Sequence, residues 1–256
     1  MTSNREDTHR LSDPAGAWVD LGLTLPIFLV YHVAVVFLDV KNATDIVTEV
    51  LLRWSGGDRA TYVAATGALG IFFVGVFGLL GRGEVFRAYK FVQIAIEGMV
   101  YSLLMRGFAS YVVERVFAGR VEEQSRLVGF IMSMGAGFHE ELAFRVVLFG
   151  FGAKVLSWLL ARKASAGPGM HAAGVRAERS IQSIQSIVAI TVWALVSAAV
   201  FSGVHYVGLF GDSFDLASFA FRWILGIILT LIFVTRGFAA AVWTHALYDV
   251  WVLVLR

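Results

Sequence analysis

The chain has 256 residues, of which 58 % are hydrophobic and 16 % charged, with a mean hydropathy of +0.74 and a formal net charge of +2. Soluble domains carry about 25 % charged residues, so this composition excludes an ordinary water-soluble fold and indicates a polytopic membrane protein. The basic residues are scattered between apolar runs rather than stacked in a patch, which argues against nucleic acid as a partner. With no cysteine the chain has no disulfide framework, thiol nucleophile, palmitoylation site or thiolate-held metal.

The expected fold class is all-α: a polytopic transmembrane helical bundle of seven to eight spans. Residues 1–14 read as a polar N-terminal tail, 15–125 as N-terminal transmembrane helices and 126–256 as the C-terminal core. The tail lacks the basic-then-apolar layout of a secretory signal peptide. Asp13-Pro14 reads as a helix N-cap with proline at the first helical position, and the first span then runs from Ala15 to Val40 with a kink at Pro26. Its Asp20, His32 and Asp39 read as interfacial or bundle-facing polar groups. The connector 42–59 holds a short interfacial helix around Thr48–Leu52 and closes on the loop Gly56-Gly57-Asp58.

Span two, 60–81, is dotted with glycines that permit close helix approach. A short basic loop, 82–90, leads to span three, 91–113, which carries Gln93 and Glu97 on one face with Arg106 roughly opposite. Glu97 either lines a polar interior or makes a structural hydrogen bond. After the charged connector 114–126, span four covers 127–160. At about 1.5 Å per residue it exceeds one bilayer, so it is expected to break or to extend into water near Gly150-Phe151-Gly152. The stretch 162–180 reads as a loop. Span five is 184–207, span six 216–234, and span seven 238–255, after a tight turn at Thr235-Arg236-Gly237. Counting Lys and Arg in alternate loops favours a cytoplasmic N-terminus. Arg far outnumbers Lys and small residues are frequent, which fits a GC-rich bacterial source and hence its inner (plasma) membrane.

The most informative stretch is Phe138-His139-Glu140-Glu141-Leu142-Ala143-Phe144-Arg145, inside span four. A charge at the middle of a spanning helix costs roughly 2.5–3.5 kcal/mol on insertion scales, so such a cluster is paired, functional or both. Glu141 and Arg145 lie one turn apart with the acid N-terminal, the favourable order for an ion pair, and read as a structural pair. Glu140, turned about 100° away, is then the available carboxylate. Two further pairs share helix faces at the same spacing: Phe201 with His205, and His245 with Asp249. Glu140, His205, His245 and Asp249 on three separate spans form a candidate catalytic set, in which burial would raise the Glu140 carboxyl toward a useful general base while neighbouring positive charge would oppose that shift.

Other motifs fail. H-E-x-x-H would need histidine where Ala143 stands. Tyr248-Asp249 has no G-x-G-D following it. Ser202-Gly203 lacks the first glycine of G-x-S-G, since Val200 holds that place.

The set that fits resembles the CPBP family, the CAAX-protease and bacteriocin-processing (Abi, or type II CAAX prenyl endopeptidase-like) intramembrane proteases. Its E-E-x-x-x-R motif matches Glu140-Glu141 through Arg145, its F-x-x-x-H matches Phe201 through His205, and its H-x-x-x-N/D matches His245 through Asp249. Phe144 lies within the first motif. Phe221, Gly226, Arg236-Gly237 and Ala239-Ala240-Ala241 stand where the family has similar residues, and the likeness runs from about Gly129 to Asp249. The resemblance implies that 126–256 is a catalytic transmembrane core. In it Glu140 and His205 activate a water, while His245 and the residue at 249 stabilise the oxyanion. Asp249 replaces the more usual asparagine. An ionised aspartate cannot donate to an oxyanion, so it is protonated or has another role.

One such role is metal ligation, with Zn2+ held by Glu140, His205, His245 and Asp249; activation of water by protein groups alone is the alternative. The implied partners are the lipid bilayer and a membrane-anchored protein or peptide substrate, bacteriocin-like peptides or sorting tails in a bacterium. The competing reading is a catalytically silent membrane scaffold or bacteriocin self-immunity factor.

Overall fold

The computed structural model describes residues 17–42, 44–80, 88–116, 125–164, 172–207 and 212–255. The polar tail with Asp13-Pro14, the loop residues 82–87 and the Gly167-Pro168-Gly169 segment lie outside them. The described residues are helical, with no strand among them: α1 Ala17–Leu23, α2 Leu25–Leu38, α3 Ile46–Trp54, α4 Arg59–Leu80, α5 Tyr89–Val116, α6 Arg126–Gly135, two π-helical segments at Ala136–Glu140 and Leu142–Phe151, α7 Gly152–Ala164, α8 Ala172–Val204, α9 Leu216–Arg236 and α10 Phe238–Leu253.

Five stretches are long and apolar enough to cross a membrane: Arg59–Val76, Tyr89–Phe108, Arg126–Ala161, Ser183–Val204 and Leu216–Arg236. Two shorter apolar helices are Leu25–Leu38 and Phe238–Leu253. Large apolar side chains such as Ile71, Phe72, Leu104, Ile187 and Leu231 face outward, as a lipid-embedded surface requires. The chain is an integral membrane protein.

It folds as two compact units. The first comprises Met1–Arg106, Arg120–His139 and Ile232–Arg256; the second comprises Gly107–Gly119 and Glu140–Leu231.

In the first unit the expected single span 15–40 is divided rather than kinked. Pro26 sits in the first turn of α2, where its missing N–H costs nothing. Within one continuous helix the same ring would collide with the carbonyl four residues earlier. Thr24 closes the break by donating its hydroxyl to the Leu21 carbonyl at 2.7 Å. The helix ends at Asp39, whose backbone is left-handed at φ 54°. Asp45 then caps α3, accepting the Thr48 N–H at 2.8 Å. Glu49 on the outer face of α3 bonds Lys41 and Arg53, and these contacts hold its carboxyl below the ordinary glutamate value, the Lys41 hydrogen bond contributing most.

Helix α10 is the centre of this unit: Ala239, Ala240, Ala241, Val242 and Ala246 are fully buried. Small residues let its neighbours come close. A methyl group at Gly137 would lie 2.6 Å from the Ala246 Cβ, and one at Gly98 would lie 2.8 Å from the Trp243 Cβ. The Trp243 indole donates to the Leu23 carbonyl at 3.0 Å. The helix begins at Gly237, whose φ of +94° is costly for any residue with a side chain. There the Asp20 carboxylate receives the backbone N–H groups of both Phe238 and Ala239. Asp20 is thus a bundle-facing polar group that caps a helix 218 residues further on. Glu97 makes a structural contact, bonding Arg236 at 2.9 Å and Tyr101 at 3.0 Å.

In the second unit α7 and α8 pack on the π-helical segment Leu142–Phe151. The Trp193 indole donates to the Leu148 carbonyl at 3.1 Å, and Trp223 of α9 donates to the Leu195 carbonyl at 2.9 Å. Two expectations change here. Helix α8 begins at Ala172, so 172–180 is helical rather than loop; its Ala, Arg and Glu are good helix formers, which outweighs its polarity. Of the two expectations for the fourth span, the break at Gly150-Phe151-Gly152 does not occur, and the helix runs on through Ala164. Its departure from α geometry starts earlier, at Ala136, and normal winding resumes at Gly152.

Candidate active site

The charge cluster falls where the backbone is unusual. Glu140 ends the first π-helical segment and Glu141 stands between the two. A π turn widens the helix and re-aims successive side chains, and such turns occur often at functional sites. Glu141 and Arg145 point inward, 0 % and 1 % exposed, with Arg145 Nη1 3.0 Å from Glu141 Oε1. The guanidinium lies 4.2 Å from the Phe201 ring centroid, and its second nitrogen donates to the Gly226 carbonyl at 3.4 Å. Phe144 meets Phe201 edge to face at 5.2 Å. Arg145 therefore neutralises Glu141 and fixes Phe201, one turn before His205.

His205 stands just past the end of α8, in a turn rather than within a span as expected, because its amide bonds back to Ser202 at 3.4 Å. Its Nδ1 lies 2.9 Å from the Phe201 carbonyl oxygen. That nitrogen donates, so Nε2 carries the lone pair. Nε2 is 3.9 Å from Glu140 Oε2, with both side chains mostly buried. The separation is too long for a direct hydrogen bond but suits one water held by both groups.

His245 and Asp249 lie on α10 in the first unit. His245 Nε2 is 3.6 Å from Asp249 Oδ2, and both side chains are largely buried. The structure thus brings together Glu140 with His205 in one unit and His245 with Asp249 in the other.

For a metal, Glu140 and His205 offer one carboxylate and one imidazole. His245 and Asp249 of the first unit offer a second imidazole and a second carboxylate, and catalytic zinc usually takes three protein ligands. Among the described residues, the group with three potential ligand atoms all within 4.8 Å of one another is a different one: His32, Asp45 and His139, all buried. In the sequence His32 reads as an interfacial or bundle-facing polar group, His139 as the start of a failed zinc motif, and Asp45 as part of a connector. No fixed spacing links them, so only the fold unites them.

No curated protein and no solved structure matches the chain. A family model described as "Rce1-like: Type II CAAX prenyl endopeptidase Rce1-like" matches residues 122–251, just over half of the 256. That range takes in the E-E-x-x-x-R stretch, Phe201 with His205, and His245 with Asp249. With its apolar helices and with this match, the chain belongs to the Rce1-like family of type II CAAX prenyl endopeptidases, a family of membrane proteases.

Proposed function

We propose that the protein is an intramembrane endopeptidase cleaving a membrane-anchored peptide or protein with a water activated by Glu140 and His205. The observation that carries this reading is the 3.9 Å separation of Glu140 Oε2 and His205 Nε2, with the His205 ring fixed from behind by the Phe201 carbonyl. Glu140 takes a proton from the water, whose oxygen attacks the scissile carbonyl carbon while His205 Nε2 holds it in place. The resemblance to the family gives His245 the task of stabilising the tetrahedral oxyanion. Asp249, an acceptor when ionised, steadies the His245 ring instead of donating to the oxyanion. Glu140 then passes its proton to the departing amine nitrogen, and the peptide C–N bond breaks.

In this reading the two shorter apolar helices join the five long ones, giving seven spans, and residues 126–256 carry the catalytic groups. The Lys and Arg distribution supports a cytoplasmic N-terminus in a bacterial plasma membrane.

The test is cleavage of lipid-anchored fluorogenic peptides by the protein reconstituted in liposomes. Glu140→Gln and His205→Ala should each lower kcat/KM by about 10²–10⁴-fold, the usual contribution of a general base, with membrane insertion unchanged. A wild-type rate from either variant refutes the assignment. Activity that survives exhaustive chelation rules out a catalytic metal on these residues.

A further inference from the structure

Three residues far apart in the chain meet in the first unit. His32 is on α2, Asp45 is the N-cap of α3, and His139 is in the π-helical turn after α6. All three are buried, at 0 %, 2 % and 3 % exposure. Asp45 Oδ1 and His139 Nε2 are 3.3 Å apart. Two ligands about 2.0–2.1 Å from a tetrahedral ion are separated by about 3.3–3.4 Å, so this edge already has the right length. One ring nitrogen of His32 lies within 4.8 Å of the other two ligand atoms.

The surroundings orient the donors as a second shell does. His139 Nδ1 lies 3.2 Å from the Gly135 carbonyl oxygen and donates to it, which directs the Nε2 lone pair toward Asp45. Asp45 Oδ2 accepts the Tyr31 hydroxyl at 2.8 Å, and the Asn42 N–H in turn donates to that hydroxyl oxygen at 2.9 Å. His32 Nδ1 contacts the Thr48 and Tyr62 hydroxyls at 3.1 and 3.2 Å. Its Nε2 is buried and has no hydrogen-bond partner. An orphaned imidazole nitrogen in a sealed interior is costly, and coordination is one way to satisfy it.

We propose that His32, Asp45 and His139 form a structural site for a divalent first-row transition metal, Zn2+ being the fitting ion for two imidazoles and one carboxylate. The ion ties α2 and the start of α3 to the turn that ends at Glu140. It clamps residues 32, 45 and 139, which no sequence-local contact could hold together. The site belongs to the fold rather than to the hydrolytic step and uses none of Glu140, His205, His245 or Asp249.

The experiment uses the full-length protein in detergent, purified without a polyhistidine tag. It is stripped with a chelator, reloaded with Zn2+ or Co2+ and freed of excess ion. Wild type should retain about one equivalent by elemental analysis, and the Co2+ form should show the visible d–d bands of a four- or five-coordinate N/O site. His32→Gln and Asp45→Asn should lose both signals, whereas the double variant Glu140→Gln/His205→Gln should keep them. The wild-type stoichiometry and spectrum decide the matter even if one variant fails to fold. Wild type retaining less than about a tenth of an equivalent overturns the proposal. So does retention by His32→Gln and Asp45→Asn, or loss from the Glu140/His205 double variant alone.

Discussion

Replacing Asp20 by alanine tests how helix α10 is held. The Asp20 carboxylate accepts the N–H groups of Phe238 and Ala239 at the helix start, in a place 8 % exposed. Alanine leaves both donors buried without a partner. Hydrogen bonds to a charged group contribute roughly 1.5–3 kcal/mol each, and loss of a capping side chain costs about 0.5–2 kcal/mol. A loss of about 3 kcal/mol for the pair is therefore reasonable. With unfolding entropy of roughly 2.1 cal/mol/K per residue over 256 residues, each degree of Tm corresponds to about 0.5 kcal/mol, and Tm should fall by about 6 °C. Asp20→Asn keeps one acceptor oxygen and should lose about half as much. The assay is tryptophan fluorescence on heating in detergent, with hydrogen exchange followed over residues 238–242. A Tm within about 1 °C of wild type, together with unchanged exchange in that turn, would refute the capping argument.

Arg145→Met should destabilise by about 3–5 kcal/mol, because it leaves the Glu141 carboxylate buried without its cation, whereas Glu141→Gln/Arg145→Met should recover much of the loss; denaturation in mixed micelles measures both. Gly137→Ala should cost at least about 1–3 kcal/mol, since the new methyl group would sit 2.6 Å from the Ala246 Cβ. A thermal melt checks that value, and an unchanged Tm would mean that the π-helical segment Ala136–Glu140 does not press closely on α10.

Much of the fold is legible in the sequence for a simple reason: a helix in lipid must satisfy its own backbone and show apolar side chains outward. The runs that become α4, α5, α8, α9 and α10 therefore stand out. The boundaries that went astray have local causes. Pro26 begins a new helix instead of bending an old one, the polar 172–180 stretch has good helix formers, and π winding at 136–151 leaves no mark in composition. The pairing of Glu141 with Arg145 is readable because the partners lie on one turn. The partners of Glu97 and Asp20 are not, since Arg236 and Phe238 come 139 and 218 residues later.

Alone, the sequence determined the membrane class, the helical character and the order of the E-E-x-x-x-R, F-x-x-x-H and H-x-x-x-D motifs, because hydropathy and one-turn spacing are local properties of a chain. Tertiary structure decided which buried polar groups meet. It set Glu140 a water's width from His205, put Asp20 at the head of α10 and gathered His32, Asp45 and His139. Such meetings depend on how helices pack, and helix packing obeys no spacing rule that a linear reading can count.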